Sequence, residues 1–197
     1  MKIKDNPAAF IRLRKKLEAL TPISNKGFEG LTNLMYEKHF SKGATIFKEG
    51  QICNQFYFIF SGCIRRFGLK NGREVNVNFY IEDDVACDFE SFRREKPSKF
   101  YFVAMEECVT YYAAKKEVTS FFQRGASMHM LLFRFFQDLY FREEDHSNNF
   151  KLLSPEERYQ YLMKNNPQYL QRIPVVHLAS YLGMSRETLN RIRKKLS

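Results

Sequence analysis

The stretch VVHLASYLGMSRETLNRIRKKL, residues 175–196, has the pattern of two short amphipathic helices joined by a tight turn. The first helix is predicted over residues 175–182, and Gly183 after it tolerates the left-handed backbone that ends a helix. Ser185 can cap a second helix because its hydroxyl accepts an N–H group of the first turn. Apolar residues recur at the helical period along this second helix, at Leu189, Ile192 and Leu196.

The spacing of three residues around the turn is typical of a DNA-binding helix-turn-helix. Ala179 lies four residues before Gly183, which lets the second helix cross closely, and Leu189 lies six residues after Gly183, where it holds the two helices together. In such a motif the second helix enters the major groove with its first residues at the base edges. An ordinary helical hairpin with a solvated basic face is the alternative. That face carries Arg186, Arg191, Arg193, Lys194 and Lys195.

Positive charge is concentrated in the same part of the chain. The 197 residues carry a net charge of +10, and residues 151–197 hold nine Lys and Arg against three Asp and Glu. A basic C-terminal module indicates a polyanionic partner, most often nucleic acid. No segment has the roughly 18 apolar residues of a membrane span, and the N-terminus lacks the apolar run of a secretory signal. We therefore expect a cytoplasmic protein without a membrane partner.

The sequence contains none of the residue patterns that are typical of enzyme active sites or metal sites. Cys53, Cys63, Cys87 and Cys108 lie at least ten residues apart, so a compact zinc or iron–sulfur motif is not expected. They are expected to pack as reduced thiols, and a redox-sensing role stays open. No nucleophile elbow, phosphate-binding loop or paired-carboxylate motif is present. We expect no enzyme activity, no metal and no cofactor.

The hydrophobic period changes near residue 40. Helices are predicted before it, over residues 7–20 and 29–39. Short apolar runs separated by turn signals follow, which is typical of antiparallel β structure. Residues 74–81 alternate between apolar and polar types, so they are predicted to form a strand with one buried face. The expected inward residues are Val75, Val77, Phe79 and Ile81, and the expected outward residues are Asn76, Asn78 and Tyr80.

A long helix is predicted over residues 127–148, which contain no Gly or Pro. Met128, Leu132, Phe135 and Leu139 follow at steps of four, three and four residues, as in a coiled-coil seam. A helix this apolar would aggregate if exposed, so we expect it to pair with a second subunit. Burial within one subunit is the alternative. Residues 142–146, REEDH, are expected to be a solvated helix end, because consecutive carboxylates on a helix point in different directions.

The order of β-roll, long helix and helix-turn-helix, with the string SRETLNR at residues 185–191, resembles the Crp/Fnr family of bacterial transcription regulators. The resemblance covers nearly the whole chain. It implies an α+β fold with an N-terminal antiparallel β-roll (a double-stranded β-helix) like a cyclic nucleotide-binding domain. A long dimerisation helix and a C-terminal winged-helix-like helix-turn-helix follow. Many relatives continue into a β-hairpin wing, so the wing is expected to be truncated at Ser197. The implied domains are an effector-sensing domain at 1–126, the dimerisation helix at 127–150 and the DNA-binding domain at 151–197.

The resemblance assigns base reading to Arg186, Glu187 and Arg191, which match the family pattern S-R-E-T-x-x-R. The chemistry agrees, since arginine can bond a guanine edge through two hydrogen bonds and glutamate can accept from the cytosine amine. As an alternative, Glu187 is a helix N-terminal acid favoured by the helix dipole. Further candidates for phosphate contact or helix capping are Ser185, Thr188, Lys194, Lys195 and His177.

The sensor half departs from the family's cyclic-nucleotide-binding members. Those members have a Gly-Glu pair that holds the ribose and an Arg-Ser pair that neutralises the cyclic phosphate. Here Cys87-Asp88 stands in the first place and Pro97-Ser98-Lys99 in the second. Lys99, Arg93 or Arg94 could supply a charge there, but Lys99 cannot make the forked contact of an arginine. The predicted effector pocket therefore contains Asp88, Ser98 and Lys99, its effector is unknown, and cyclic AMP is not expected.

Together these patterns predict a homodimeric transcription regulator that binds double-stranded DNA, with RNA polymerase as a further partner if it is an activator. The alternative is a small-ligand-binding or protein-docking module whose basic helical tail contacts a partner protein.

Overall fold

Two four-stranded antiparallel sheets form the first half of the molecule. The computed structural model describes residues 1–123 and 125–196. Arg124 and Ser197 lie outside the described residues, and with Ser197 the position at which the wing is expected to be truncated. The strands are β1 (Tyr36–Phe40), β2 (Thr45–Phe47), β3 (Gln55–Ser61), β4 (Ile64–Lys70), β5 (Arg73–Tyr80), β6 (Val85–Ala86), β7 (Phe100–Ala104) and β8 (Cys108–Ala114). One sheet has the order β1-β8-β3-β6 and the other β2-β7-β4-β5. The predicted α+β class with a β-roll is confirmed.

Helices flank the roll and build the C-terminal module. They are α1 (Pro7–Glu18), α2 (Asn25–Thr32), α3 (Phe89–Arg94), α4 (Lys115–Phe122), α5 (Ala126–Leu152), α6 (Pro155–Asn165), α7 (Pro167–Arg172), α8 (Val175–Tyr181) and α9 (Arg186–Leu196). Over the described ranges, none of these helices combines the length and the apolar character needed to cross a bilayer.

The core of the β-roll is organised around β3, which is buried on both faces. Phe58 packs with apolar residues of α1, α2, α4 and the first turns of α5. Its neighbours Tyr57 and Ile59 point the other way and pack with Ile64, Tyr80 and Phe102 of the second sheet. A strand covered on both sides must be apolar at successive positions, which explains the run of aromatic and aliphatic residues there.

The second helix was predicted in the wrong place. It spans Asn25–Thr32 rather than residues 29–39, and Ser24 caps it by accepting the N–H of Gly27. Residues 36–40 instead form β1, which pairs with β8 from Tyr36↔Tyr112 to Phe40↔Cys108. The pairing with a strand seventy residues away decides the backbone here, because it satisfies the N–H and C=O groups of the segment.

The predicted alternation of β5 is also wrong. Val75 is 37% exposed whereas Asn76 is only 3% exposed, and Tyr80 is buried in the core between the sheets. The register against β4 slips between the pairs Arg66↔Asn78 and Phe67↔Asn76, so one strand has an extra residue there. Such a bulge reverses which side chains face the core. The opposite face is buried too, because the C-terminal helices cover it.

The long helix α5 runs from the β-roll to the C-terminal module. The predicted seam does not form an exposed stripe. Met128 is buried in the core of its own subunit, and Leu132 and Phe135 pack against that core. Leu139 lines a groove between α5 and β5. The first three residues of the seam predicted for a second subunit therefore pack within their own subunit, against the apolar side of the β-roll.

Candidate nucleic-acid interface and effector cavity

The helix-turn-helix has the geometry that the sequence predicts. Gly183 adopts φ +65° between α8 and α9, and the N–H of Met184 donates to the carbonyl of Ala179 at 3.0 Å. At the start of α9 the Ser185 hydroxyl accepts the N–H of Thr188 at 3.1 Å. Ala179 and Leu189 are both fully buried between the helices. The small residue, the turn and the aliphatic anchor thus do what their spacing predicts.

The outward face of α9 is polar and free of ion pairs at its N-terminal half. Arg186, Glu187, Asn190 and Arg191 are all exposed. Neither Arg186 nor Arg191 has a carboxylate within ion-pair distance among the described residues. Their guanidinium groups are therefore available to an incoming anion or base edge. Asn190 was not singled out from the sequence, although it lies four residues after Arg186 and its amide can pair with adenine.

Glu187 is held at the start of the helix. A hydrogen bond from its own backbone N–H, together with one from the Ser185 hydroxyl and the nearby Arg186 charge, lowers the pKa of its carboxyl group. The group therefore stays ionised and turned towards the first turn of α9. This arrangement is the one expected of a helix N-terminal acid, and base reading by Glu187 stays a prediction.

The predicted phosphate contacts divide into two groups. Lys194 is exposed, whereas Lys195 donates to both carboxylate oxygens of Glu156 on α6 at 2.9 and 2.8 Å. The hydroxyl oxygens of Thr188 and Ser185 lie 3.2 Å apart, within hydrogen-bond distance. His177 lies elsewhere: it is half-buried against β5, with its Nδ1 3.4 Å from the Asn76 side-chain nitrogen. Burial lowers its pKa, so a neutral His177 is favoured in this position.

The module is docked on the β-roll through its other helices. The hydroxyl of Tyr169 donates to the carbonyl of Phe79 at 2.7 Å, and the N–H of Asn76 donates to the Ser180 hydroxyl at 3.0 Å. Arg172 bonds both Glu82 and Glu106. Because α7 and α8 carry these contacts, the outward face of α9 stays in solvent.

A cavity of about 230 Å³ opens between the sheets of the β-roll, near the predicted effector residues. Asp88 is buried in its wall and caps α3 through the N–H of Ser91. The Ser98 hydroxyl donates to the other Asp88 oxygen at 2.5 Å, so these two predicted residues do meet, but they bond each other. Lys99 is exposed and does not line the cavity.

The polar lining of the cavity differs from a phosphate site. Among the described residues that line it, Lys38 is the one basic side chain, and its ammonium group lies over the rings of Phe40, Tyr57 and Tyr112. No arginine lines it within that set, so a forked contact to a cyclic phosphate is missing from the described lining. Cys53 and Cys87 belong to the same wall.

Residues 37–125 match the family model described as the cyclic nucleotide-binding domain.

Solved structures with the same fold include FixK2 from Bradyrhizobium japonicum. The two sequences are 17% identical, the match covers 82% of this chain and 84% of that chain, and the TM-score is 0.70. The c-di-GMP-responsive global regulator CLP from Xanthomonas campestris has 16% identity, 88% and 91% coverage, and a TM-score of 0.67. The catabolite activator protein of Thermus thermophilus has 19% identity, 92% and 86% coverage, and a TM-score of 0.59. No curated protein matches the sequence. The predicted resemblance to Crp/Fnr-type regulators is confirmed at the level of the fold.

Proposed function

We propose that this chain, which has the fold of the Crp/Fnr-like transcription regulators, is a homodimeric regulator that binds double-stranded DNA sequence-specifically. The outward face of α9 carries the proposal. Arg186 and Arg191 stand in solvent on a helix that is anchored from behind by Leu189 and Ile192. A helix that is anchored by buried residues and exposes guanidinium groups on its other face suits base recognition in the major groove.

The two subunits pair along α5 in this proposal. Its outward side carries a stripe of exposed apolar residues, Met130, Phe133, Tyr140 and Phe141, which we call the outer stripe. Met130, Phe133 and Tyr140 lie at steps of three and seven residues, so they share one side of the helix. Pairing removes this apolar surface from water, and it places the two copies of α9 on one side of the dimer.

The two-fold symmetry of the dimer defines the DNA target. Two recognition helices enter successive major grooves about 34 Å apart, so the operator is close to palindromic.

An effector in the β-roll cavity acts on the dimer through α5. This effector is not cyclic AMP, and a chain that activates transcription also contacts RNA polymerase.

The test begins with duplexes selected from a random pool by the full-length protein. Against the selected operator, Arg186→Ala and Arg191→Ala each lower the discrimination at one base pair by about 1–3 kcal/mol. Arg93→Ala serves as the control, because it removes an exposed guanidinium from α3, a different element of the β-roll domain. Competition binding with single-base variants of the operator measures the effect.

Two other outcomes would decide against the proposal. Unchanged operator discrimination in both arginine variants would refute base reading and favour a protein-docking role for the basic tail. Binding to phosphates releases counterions, so the affinity for DNA should fall steeply as salt rises. A pool from which no duplex is enriched, with no salt-dependent binding, would refute DNA binding altogether.

A further inference from the structure

Two cysteine thiols that are distant in the sequence meet in the wall of the β-roll cavity. The sulfur atoms of Cys53 and Cys87 lie 3.6 Å apart, and both side chains are buried. Both residues line the cavity of about 230 Å³. A small solute that enters this cavity therefore reaches the thiol pair without unfolding of the domain.

The two thiols are chemically unequal. The hydrogen bond from the Cys87 thiol lowers the pKa of Cys53, although burial opposes this effect. Burial raises the pKa of Cys87 well above its usual value. Thiolates rather than thiols are the nucleophiles, so Cys53 is the attacking group and Cys87 is the protonated partner beside it.

We propose that Cys53 and Cys87 form an oxidisable dithiol site that reacts with a hydroperoxide entering the cavity. The Cys53 thiolate attacks the terminal oxygen, the O–O bond breaks, and protonation of the leaving oxygen gives water or an alcohol and a Cys53 sulfenic acid. The Cys87 sulfur then attacks the Cys53 sulfur, and the Cys87 proton leaves with the hydroxyl group as water. Two thiols are oxidised to one disulfide while one hydroperoxide is reduced.

The surrounding backbone allows this bond to close. A disulfide has an S–S length of about 2.05 Å, so the sulfur atoms must approach by about 1.5 Å. Cys53 lies in the loop between β2 and β3, and Cys87 lies between β6 and α3, so neither residue is held inside a strand or helix. Small backbone shifts in these two connections can supply the approach.

Closure of the bond acts on α3. The N–H of Cys53 donates to the Ser91 hydroxyl at 2.9 Å, and Asp88, next to Cys87, caps the same helix. From α3 the ring of Phe89 packs on Phe135 and Phe136 of α5. Drawing the loop and α3 together therefore changes the support of the helix that pairs the subunits. This consequence for DNA binding rests on the proposed function, whereas the thiol chemistry does not.

The other two cysteines provide a matched control within the same domain. Burial raises the pKa of Cys63 to about 12 and that of Cys108 to about 11. Their sulfur atoms contact the Met105 sulfur and the Cys63 carbonyl, and neither residue lines the cavity. Cys63 and Cys108 are buried like the proposed pair. Neither has a lowered pKa like that of Cys53, and neither can be reached from the cavity.

The thiol chemistry is tested on the reduced full-length protein with hydrogen peroxide, followed by alkylation and peptide mass analysis. We expect a disulfide between Cys53 and Cys87, formed at least about tenfold faster than any oxidation of Cys63 or Cys108. Cys108→Ser leaves this rate unchanged, and Cys87→Ser stops at a Cys53 sulfenic acid that a dimedone probe labels. Equal oxidation of all four cysteines, or no disulfide in the folded wild type, overturns the proposal.

The regulatory consequence is tested separately with the selected operator. Oxidation should change the affinity of wild type by at least about fivefold and leave that of Cys53→Ser unchanged. A disulfide that forms without changing the affinity refutes the coupling to α5 and leaves the dithiol site standing. If the reduced protein binds no DNA, the proposed function fails, and the mass analysis still decides the dithiol chemistry.

Discussion

One hydroxyl group satisfies an otherwise free backbone donor at the start of α9, the proposed recognition helix. The Ser185 oxygen accepts the N–H of Thr188 at 3.1 Å. Alanine cannot make this bond, so Ser185→Ala should lower the free energy of unfolding by about 1 kcal/mol. Urea unfolding of the full-length protein measures the difference.

Asparagine at the same position separates the cap from other effects of the substitution. Its side-chain oxygen is an equally good acceptor, so Ser185→Asn should stay within about 0.5 kcal/mol of wild type. Equal stability of the alanine and asparagine variants would show that the hydroxyl contributes no capping energy.

The residues of the turn were predictable because their roles are local. Gly183 ends a helix, Ser185 begins one, and Ala179 and Leu189 are set by the contact between adjacent helices. The positions of His177 and Lys99 could not be predicted, because the residues around them come from distant parts of the sequence. His177 meets Asn76 on β5, a partner 101 residues away, and a single sequence gives no sign of that contact.

The contact between α5 and the helix-turn-helix depends on the missing side chain of Gly183. A β-carbon built there would lie 2.4 Å from Cε1 of Phe150, far inside contact distance. Gly183→Ala therefore combines the cost of φ +65° for a residue with a side chain, about 1–2 kcal/mol, with a clash against α5. We expect a loss of unfolding free energy clearly above that range, measured by urea unfolding.

Gly43 isolates the backbone part of this cost. It has φ +82° and nothing within 4 Å of a built β-carbon, so Gly43→Ala should cost only about 1–2 kcal/mol. In a Phe150→Ala background the further cost of Gly183→Ala should fall to the Gly43 value. An unchanged cost in that background would place the strain elsewhere than at Phe150.

Elements were predicted where the local pattern agrees with the tertiary structure. The starts of α1 and α9 follow from a proline, a serine cap and helical periods. The segment at residues 36–40 and the inward face of β5 were mispredicted because strand pairing and a bulge decide them. The polar residues Asn76 and Asn78 of β5 do not mark a solvent face, because helices of the C-terminal module cover that part of the strand.

The interface between the C-terminal module and the rest of the molecule contains two half-buried histidines. His146 on α5 stacks on Tyr181 with 4.8 Å between ring centroids, and burial lowers its pKa while Glu143 opposes the shift. Burial and Arg65 lower the pKa of His177, while Glu74 opposes. The unfolded chain binds protons near pH 6.5 more readily than the folded chain, so stability is lost as the pH falls through that value.

The prediction is that the free energy of unfolding declines between about pH 7.5 and about pH 5.5, and that His146→Phe reduces the decline. Phenylalanine keeps a ring against Tyr181 but does not titrate. Urea unfolding at several pH values checks it, with His129→Gln as the control, because His129 is exposed on the same helix. The lowered carboxylate pKa values, such as that of Glu82, matter only below about pH 4.5. An unaltered slope in His146→Phe would contradict the assignment.

In the proposed dimer, the outer stripe of α5 forms the contact between the two subunits. Phe133 is 60% exposed within the stripe, whereas Met128 of the predicted seam is buried and Leu132 and Phe135 pack against the β-roll core. An aspartate there would place a charge in the apolar contact between subunits, where it has no partner. Phe133→Asp should therefore raise the dissociation constant of the dimer at least about tenfold, which sedimentation equilibrium measures.

Ile11 provides the comparison that makes this result specific. It is 64% exposed on α1, so Ile11→Asp adds the same charge at an equally open apolar position outside the outer stripe. Because a monomer presents one recognition helix, Phe133→Asp should also lose its preference for a two-fold operator over a single half-site, while Ile11→Asp keeps it. A Phe133→Asp protein that stays dimeric would place the subunit contact on another surface. A monomer that still prefers the full operator would separate DNA recognition from pairing along α5.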